Sequence, residues 1–178
     1  METINSDNQQ ATPYEFGWLV GLIEGEGSIG LYWNSTRKQI AVRLTITNTD
    51  KSLIDYAAEI MRKVGVNPFV YDHRRKRQMP HWKVRYDIHL EGIKRHAAFL
   101  FKVLPFWFPD TIKRQRAEIC LAFCKERLSH PKFHGDPGHA KYTTRELALF
   151  GRIKELYGES SEAMSIPVIE VTEDMVHA

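Results

Sequence analysis

Cysteine is scarce in this chain and long apolar runs are missing. The 178 residues include two cysteines, Cys120 and Cys124. They stand four apart in a stretch of helical pattern, which reads as two reduced core thiols rather than a bridge, and a lone pair is a poor metal site. No apolar stretch approaches the roughly 20 residues that cross a bilayer, which excludes a helical membrane span. The opening METINSDNQQATP has neither the basic start nor the apolar core of a secretory signal. The expectation is an intracellular protein with no membrane partner.

Acids are thin outside one segment. Residues 159–178 hold five acids and no Lys or Arg, so the rest of the chain carries 25 bases against 17 acids, net +8. A basic body with an acidic tail fits a polyanionic partner. A soluble basic protein of no special partner would have the same composition. The chain is long enough for one domain with its own core. We expect a flexible lead over 1–12, one domain over 13–158, and the acidic tail over 159–178.

The element pattern is rich. Thr12-Pro13-Tyr14-Glu15 combines an N-cap, a proline suited to the first helical position and the glutamate of a capping box, so a helix begins at Pro13 and runs to about Gly25. Ser28–Asn34 and Gln39–Thr47 read as a hairpin around Ser35-Thr36-Arg37-Lys38. In the second run Ile40, Val42, Leu44 and Ile46 alternate with Gln39, Ala41, Arg43, Thr45 and Thr47, the pattern of a strand buried on one side. Asp50 caps a helix with Leu53, Ala57, Ile60 and Val64 on one stripe, ended by Gly65. Phe69–Tyr71 is a third strand leading to the basic loop His73-Arg74-Arg75-Lys76-Arg77. His81–Leu90 is a fourth, with Trp82, Val84, Tyr86, Ile88 and Leu90 facing in and Lys83, Arg85, Asp87 and His89 facing out. Helices follow over about 92–104, over about 110–128 with Asp110 as cap, and from Thr143-x-x-Glu146 to near Gly158. The fold class is α+β, with helices on one face of a four-stranded antiparallel sheet and the other face open. A polar, basic two-stranded ribbon of this kind can enter a DNA major groove, though solvated sheet faces are common too.

The first helix carries the chemistry. Gly17, Gly21 and Gly25 recur every four residues at a cost of about 1 kcal/mol each relative to alanine. They form a bare ridge that lets another helix approach closely, as small residues do between membrane helices. The rest of the helix is apolar nearly all round, so both of its faces are expected to be buried, one in the core and one against a symmetry-related helix. It ends in Glu24-Gly25-Glu26-Gly27, which sets carboxylates at the negative end of the macrodipole. Two such helices side by side would bring like charges together, a conflict that a divalent cation resolves. That arrangement suits phosphodiester hydrolysis.

The segment Leu19-Val-Gly-Leu-Ile-Glu-Gly-Glu-Gly27 resembles the nine-residue motif of the LAGLIDADG homing endonucleases. Gly21, Leu22, Ile23 and Gly27 match outright, while Glu24 and Glu26 replace aspartates and Gly25 replaces alanine. The resemblance extends over about residues 13–128, because the element order agrees with the family's αββαββα core. It implies a saddle-shaped antiparallel sheet over DNA, with the C-terminal helices added and motif helices 13–26 paired in a homodimer. It implies Glu26 as metal ligand, Gly25 as a backbone carbonyl ligand, and Mg²⁺, or another divalent ion such as Mn²⁺, as cofactor. Ile46-Thr-Asn-Thr-Asp50 matches the segment whose polar residue orders water, here Asn48. Pro105-Phe106 followed by Lys113-Arg-Gln-Arg-Ala117 matches the proline-then-lysine stretch at a longer spacing, making Lys113 the basic residue near the scissile phosphate. Glu24 is left a structural role.

The implied reaction is site-specific cleavage of double-stranded DNA at a pseudo-palindromic site, leaving 3′ overhangs. The implied location is wherever the DNA of a host genome or organelle lies. Base edges would be read by Tyr32, Asn34, Gln39, Arg43, Thr45, Lys83, Arg85, Asp87 and His89. Arg37, Lys38, Arg74, Arg75 and Arg77 would add contacts, chiefly to phosphates. Three other readings stand beside this one: an intron RNA-binding maturase on the same fold, a non-catalytic DNA-binding regulator, and a generic α+β protein with a basic surface. The 4- and 5-residue spacing of His130, His134 and His139, with Asp136 nearby, suggests zinc but lacks a convincing fourth ligand.

Overall fold

The structure is a computed structural model that describes residues 10–73, 83–129 and 142–158. In chain order it has α1 (Pro13–Glu26), β1 (Gly27–Asn34), β2 (Gln39–Asn48), α2 (Lys51–Lys63), β3 (Phe69–Asp72) and β4 (Tyr86–Leu90). There follow α3 (Ile93–Val103), a 3-10 turn (Leu104–Phe106), α4 (Ile112–Ser129) and α5 (Thr144–Glu155). No helix among the described residues is long and apolar enough to cross a membrane.

The four strands make one antiparallel sheet in the order β1-β2-β4-β3. Its register follows from the alternation in β2. Val42 pairs with Leu31, Leu44 with Ile29 and Leu90, and Ile46 with Gly27 and Ile88, so these residues share the inner face. They join Leu19, Ile23, Ile54, Phe99, Leu100 and Phe123 from the helices in one buried cluster. The opposite face carries Ser28, Gly30, Tyr32 and Asn34 from β1 and Gln39, Ala41, Arg43, Thr45 and Thr47 from β2. From β4 and β3 it takes Asp87, His89, Phe69 and Tyr71.

The helix starts behave as their residues dictate. Thr12 accepts from Glu15 N at 3.2 Å while Glu15 Oε2 accepts from Thr12 N at 2.7 Å, and Thr143 and Glu146 make the same box for α5. Such a cap stabilises a helix by about 1 kcal/mol. Glu15 also accepts from Lys63 Nζ at 2.7 Å, which ties the start of α1 to the end of α2. The Lys63 ammonium and the Thr12 amide hold the Glu15 carboxyl down at about 2. Asp50 caps α2 through Ser52 N and Leu53 N, and Gly65 takes a φ of +94° just past its end. Cys120 and Cys124 are free and buried, and burial pushes the Cys124 thiol up to about 12.

Three expectations need correction. The fourth strand starts at Tyr86, not His81. Its neighbour β2 ends opposite Tyr86, and β3 pairs no further than Asp72, so Lys83 and Arg85 precede the strand. Only the bond from His73 N to Arg85 O, 3.0 Å, carries the pairing one step on. Asp87 does face outward, but it is 5% exposed rather than solvated. Asp110 does not cap α4, because its φ of +61° departs from the extended backbone of a cap. Thr111 takes that place, its Oγ1 accepting from Arg114 N at 3.1 Å. Within one chain α1 is buried on its core face, through Glu15, Leu19, Val20 and Ile23, as expected of that face. Arg74, Arg75, Lys76, Arg77 and the histidine-rich loop 130–141 lie outside the described residues.

Candidate active site and nucleic-acid interface

The site begins where α1 becomes β1 without a loop. Gly27 caps the helix, its N–H donating to Ile23 O, and is already the first strand residue. A Cβ there would lie 2.7 Å from Ile23 O and 2.8 Å from Ile23 Cα, so only glycine lets the chain turn this tightly over the last helical turn. The helix end and the open sheet face are thereby fixed to each other.

The two motif glutamates have different surroundings. Glu24 is half-buried, and its Oε2 accepts from Trp107 Nε1 at 2.7 Å and from Thr111 Oγ1 at 3.3 Å. Glu26 is exposed, and its carboxylate has no hydrogen-bond or ion-pair partner among the described residues. Lys113, delivered by the first turn of α4, places Nζ against the last carbonyls of α1, donating to Ile23 O at 3.2 Å and to Glu24 O. A cation at a helix C-terminus offsets the negative end of the macrodipole. Sequence reasoning paired Lys113 with this region, and the structure brings it there. Asn48 ends β2 on the inner-face parity, with Oδ1 accepting from Asp50 N at 2.9 Å. That bond shapes the entry to α2, and the Asn48 side-chain NH₂ donates to no described residue.

The outer face of α1 is bare. Tyr14 is 75% exposed, and a Cβ added at Gly17, Gly21 or Gly25 would meet nothing within 4 Å. No group of three or more His, Cys, Asp or Glu that could hold a metal ion occurs among the described residues. At the end of α1, Glu26 is thus the unpartnered carboxylate among the described residues, beside backbone carbonyls, hard oxygen donors of the kind that bind Mg²⁺ or Ca²⁺.

On the open face, Arg43 is exposed and lies over the Tyr32 ring at 4.1 Å, which aims the guanidinium. Gln39 and His89 are half-buried, and Thr45 has its hydroxyl covered and unpartnered. Asn34 Oδ1 is engaged by Arg37 N at 3.0 Å in the hairpin turn, where Arg37 and Lys38 are exposed. Buried Asp87 organises its neighbours. His73 Nε2 lies 2.7 Å and His89 Nε2 3.7 Å from Oδ2, and Arg85 Nε lies 3.2 Å from Oδ1. Lys83 is exposed ahead of β4. Sequence reasoning missed Phe69 and Tyr71, whose rings extend this face, Tyr71 meeting His89 edge-on at 5.0 Å. Their shared parity with His89 was the available signal. It also missed the donors to Glu24, which no local pattern announces.

A helix whose C-terminal acid opens directly onto an antiparallel sheet, in the order αββαββα, is the architecture of the LAGLIDADG homing endonucleases, and this chain has that fold. The homing endonuclease I-CvuI, solved in complex with the I-CreI target, is similar over 85% of this chain and 87% of its own, at a TM-score of 0.53 and 18% identity. The LAGLIDADG homing endonuclease I-GzeII, in complex with its DNA target, matches over 92% of this chain at a TM-score of 0.56 and 16% identity. Of I-GzeII itself the match covers 47%, so this chain spans about half its length. The group I intron-encoded I-CeuI, complexed with DNA, matches over 85% of this chain and 72% of its own, at a TM-score of 0.52 and 15% identity. No protein-family model matches the chain, and no curated protein sequence does.

Proposed function

We propose that the chain is a divalent-metal-dependent endonuclease that cuts double-stranded DNA at a pseudo-palindromic site as a homodimer. The observation that carries this reading is Glu26. It is an exposed acid, without a partner among the described residues, at the C-terminal end of a helix whose outer face is a bare glycine ridge. Lys113 offsets the carbonyl dipoles there but leaves the Glu26 carboxylate unpaired among the described residues; a second copy across a cation would satisfy it.

In this mechanism Glu26 and the Gly25 carbonyl would hold Mg²⁺ or Mn²⁺. When bound, the ion supplies Lewis acidity at a phosphate oxygen and lowers the pKa of water. Lys113 balances the carbonyl dipoles of the α1 end and places positive charge beside the scissile phosphate. The Asn48 amide orders the water that attacks. Arg43 with Tyr32, Gln39 and His89 read the major groove, and Lys83, Arg85, Arg37 and Lys38 meet phosphates.

Incubating the protein and Mg²⁺ with DNA carrying the uninterrupted insertion locus of its gene should give one double-strand cut with 3′ overhangs. Glu26→Gln should lower the rate by on the order of 100–1000-fold while leaving DNA affinity intact. Cutting by that variant at the parental rate would remove Glu26 from the mechanism. RNA binding without DNA cleavage would move the chain to the maturase reading.

A further inference from the structure

Two glutamates stand two residues apart at the same helix end, and either carboxylate is chemically able to bind a divalent cation. On an α-helix such positions point to roughly opposite sides, but a glutamate has enough free torsions to swing round a helix terminus. What separates them in this structure is the segment after α3. We propose that Trp107, assisted by Thr111, is a positioning residue that withdraws Glu24 from the metal site, so that Glu26 is the motif carboxylate left to bind the ion. This rests on the endonuclease reading above and assigns the selection between its two acids.

Indole N–H is a donor only, so Trp107 can hold a carboxylate but cannot itself ligate a cation. The bond is short, 2.7 Å, and the ring that makes it is 3% exposed and locked in the core. Both backbone groups of Trp107 are also pinned, its N–H donating to Leu104 O at 3.1 Å and its carbonyl accepting from Arg114 Nη1 at 2.8 Å. Thr111 adds a second donor to the same Glu24 oxygen, 3.3 Å away, while capping α4. Two residues on, Lys113 reaches the α1 carbonyls. One short segment thus takes an anion away from the site and delivers a cation to it. Glu26 receives no comparable donor among the described residues.

Trp107→Phe keeps an aromatic ring and removes the only side-chain N–H. Titration of the full chain with Mn²⁺ alone, followed by calorimetry, should show affinity raised at least about threefold, because Glu24 is released as an extra ligand. Trp107→Phe/Glu24→Gln should lose that gain. DNA cutting should be slowed about tenfold in Trp107→Phe and return toward the parental rate in the double variant, with DNA affinity in Ca²⁺ unchanged in both. A purely structural tryptophan predicts no such rescue. Parental Mn²⁺ affinity in Trp107→Phe, or a double variant as impaired as the single one, overturns the proposal. Should Trp107→Phe fail to fold, Glu24→Gln decides: it keeps an acceptor for the indole and should bind Mn²⁺ as the parent does, and loss of binding would make Glu24 a ligand. Failure of the endonuclease reading is seen separately, as a parental protein that cuts no DNA with Mg²⁺ or Mn²⁺, whatever its Mn²⁺ affinity.

Discussion

His96 lies fully buried in α3, its Nδ1–H donating to Gly92 O at 2.9 Å and its Nε2 without a partner among the described residues. Burial pushes its pKa from 6.5 down to about 4. The unfolded chain therefore takes up a proton as pH falls through 6.5, and the folded chain does so only near 4. Stability present above pH 6.5 is lost progressively toward pH 4, by up to about 3 kcal/mol. His96→Leu should flatten this limb, seen as urea midpoints that differ less between pH 7 and pH 4.5 than those of the parent. At this scale the sequence was readable where a residue's role depends on its immediate neighbours. Thr12 with Glu15, Asp50 with Ser52 and Thr143 with Glu146 are all within one helical turn. It was not readable where partners are far apart in the chain. Trp107 meets Glu24 across 83 positions, and Asp87 is covered by His73, 14 positions away just past the end of β3.

Elements were legible through period, and their joints were not. The alternation of β2 and the stripe of α2 follow from the sequence alone, because one buried face imposes a period of two or 3.6. The extent of β4 did not follow, since a strand lasts only as long as its neighbours, and β3 is four residues long. Nor did the docking of α5 on the first hairpin. Tyr142, just before α5, accepts through its hydroxyl from Ile40 N at 2.6 Å. Tyr157, just after it, donates to Ile29 O at 3.1 Å. Arginines from α4 cover both phenols, Arg127 at 4.4 Å and Arg116 at 3.6 Å from the ring centres. The second of these joints explains Gly30, where a Cβ would lie 2.4 Å from the Tyr157 hydroxyl. Gly30→Ala should push the phenol off the strand and cost about 1 kcal/mol, the net value of one hydrogen bond. In a Tyr157→Ala background the same substitution should cost nothing further, as measured by denaturant unfolding. Additive losses would mean that Gly30 matters for another reason.

For the whole molecule, the open question is what covers α1. Leu19, Val20 and Ile23 already satisfy the helix on its inner side, so the glycines do nothing for the core of one chain. Each costs about 1 kcal/mol of helix propensity relative to alanine. In the monomer that cost has no return, because side chains at Gly17, Gly21 and Gly25 would stand in open space. The proposed homodimer would account for the ridge, because pairing needs the two backbones close, and it would give the exposed acid Glu26 a facing partner. Gly21→Leu separates the two accounts. In a monomer the added side chain meets nothing, so melting measured at concentrations where the chain is monomeric should be unchanged or improved by up to about 1 kcal/mol. Pairing should fail, with the dimer dissociation constant raised more than about tenfold by sedimentation, because a branched side chain then stands between the helices. On the proposed reading DNA cleavage should fall with it, since that reading sets two Glu26 carboxylates and two sheets on one site. A Gly21→Leu protein that remains dimeric and cuts at the parental rate would place the interface elsewhere and leave the glycine ridge without a function.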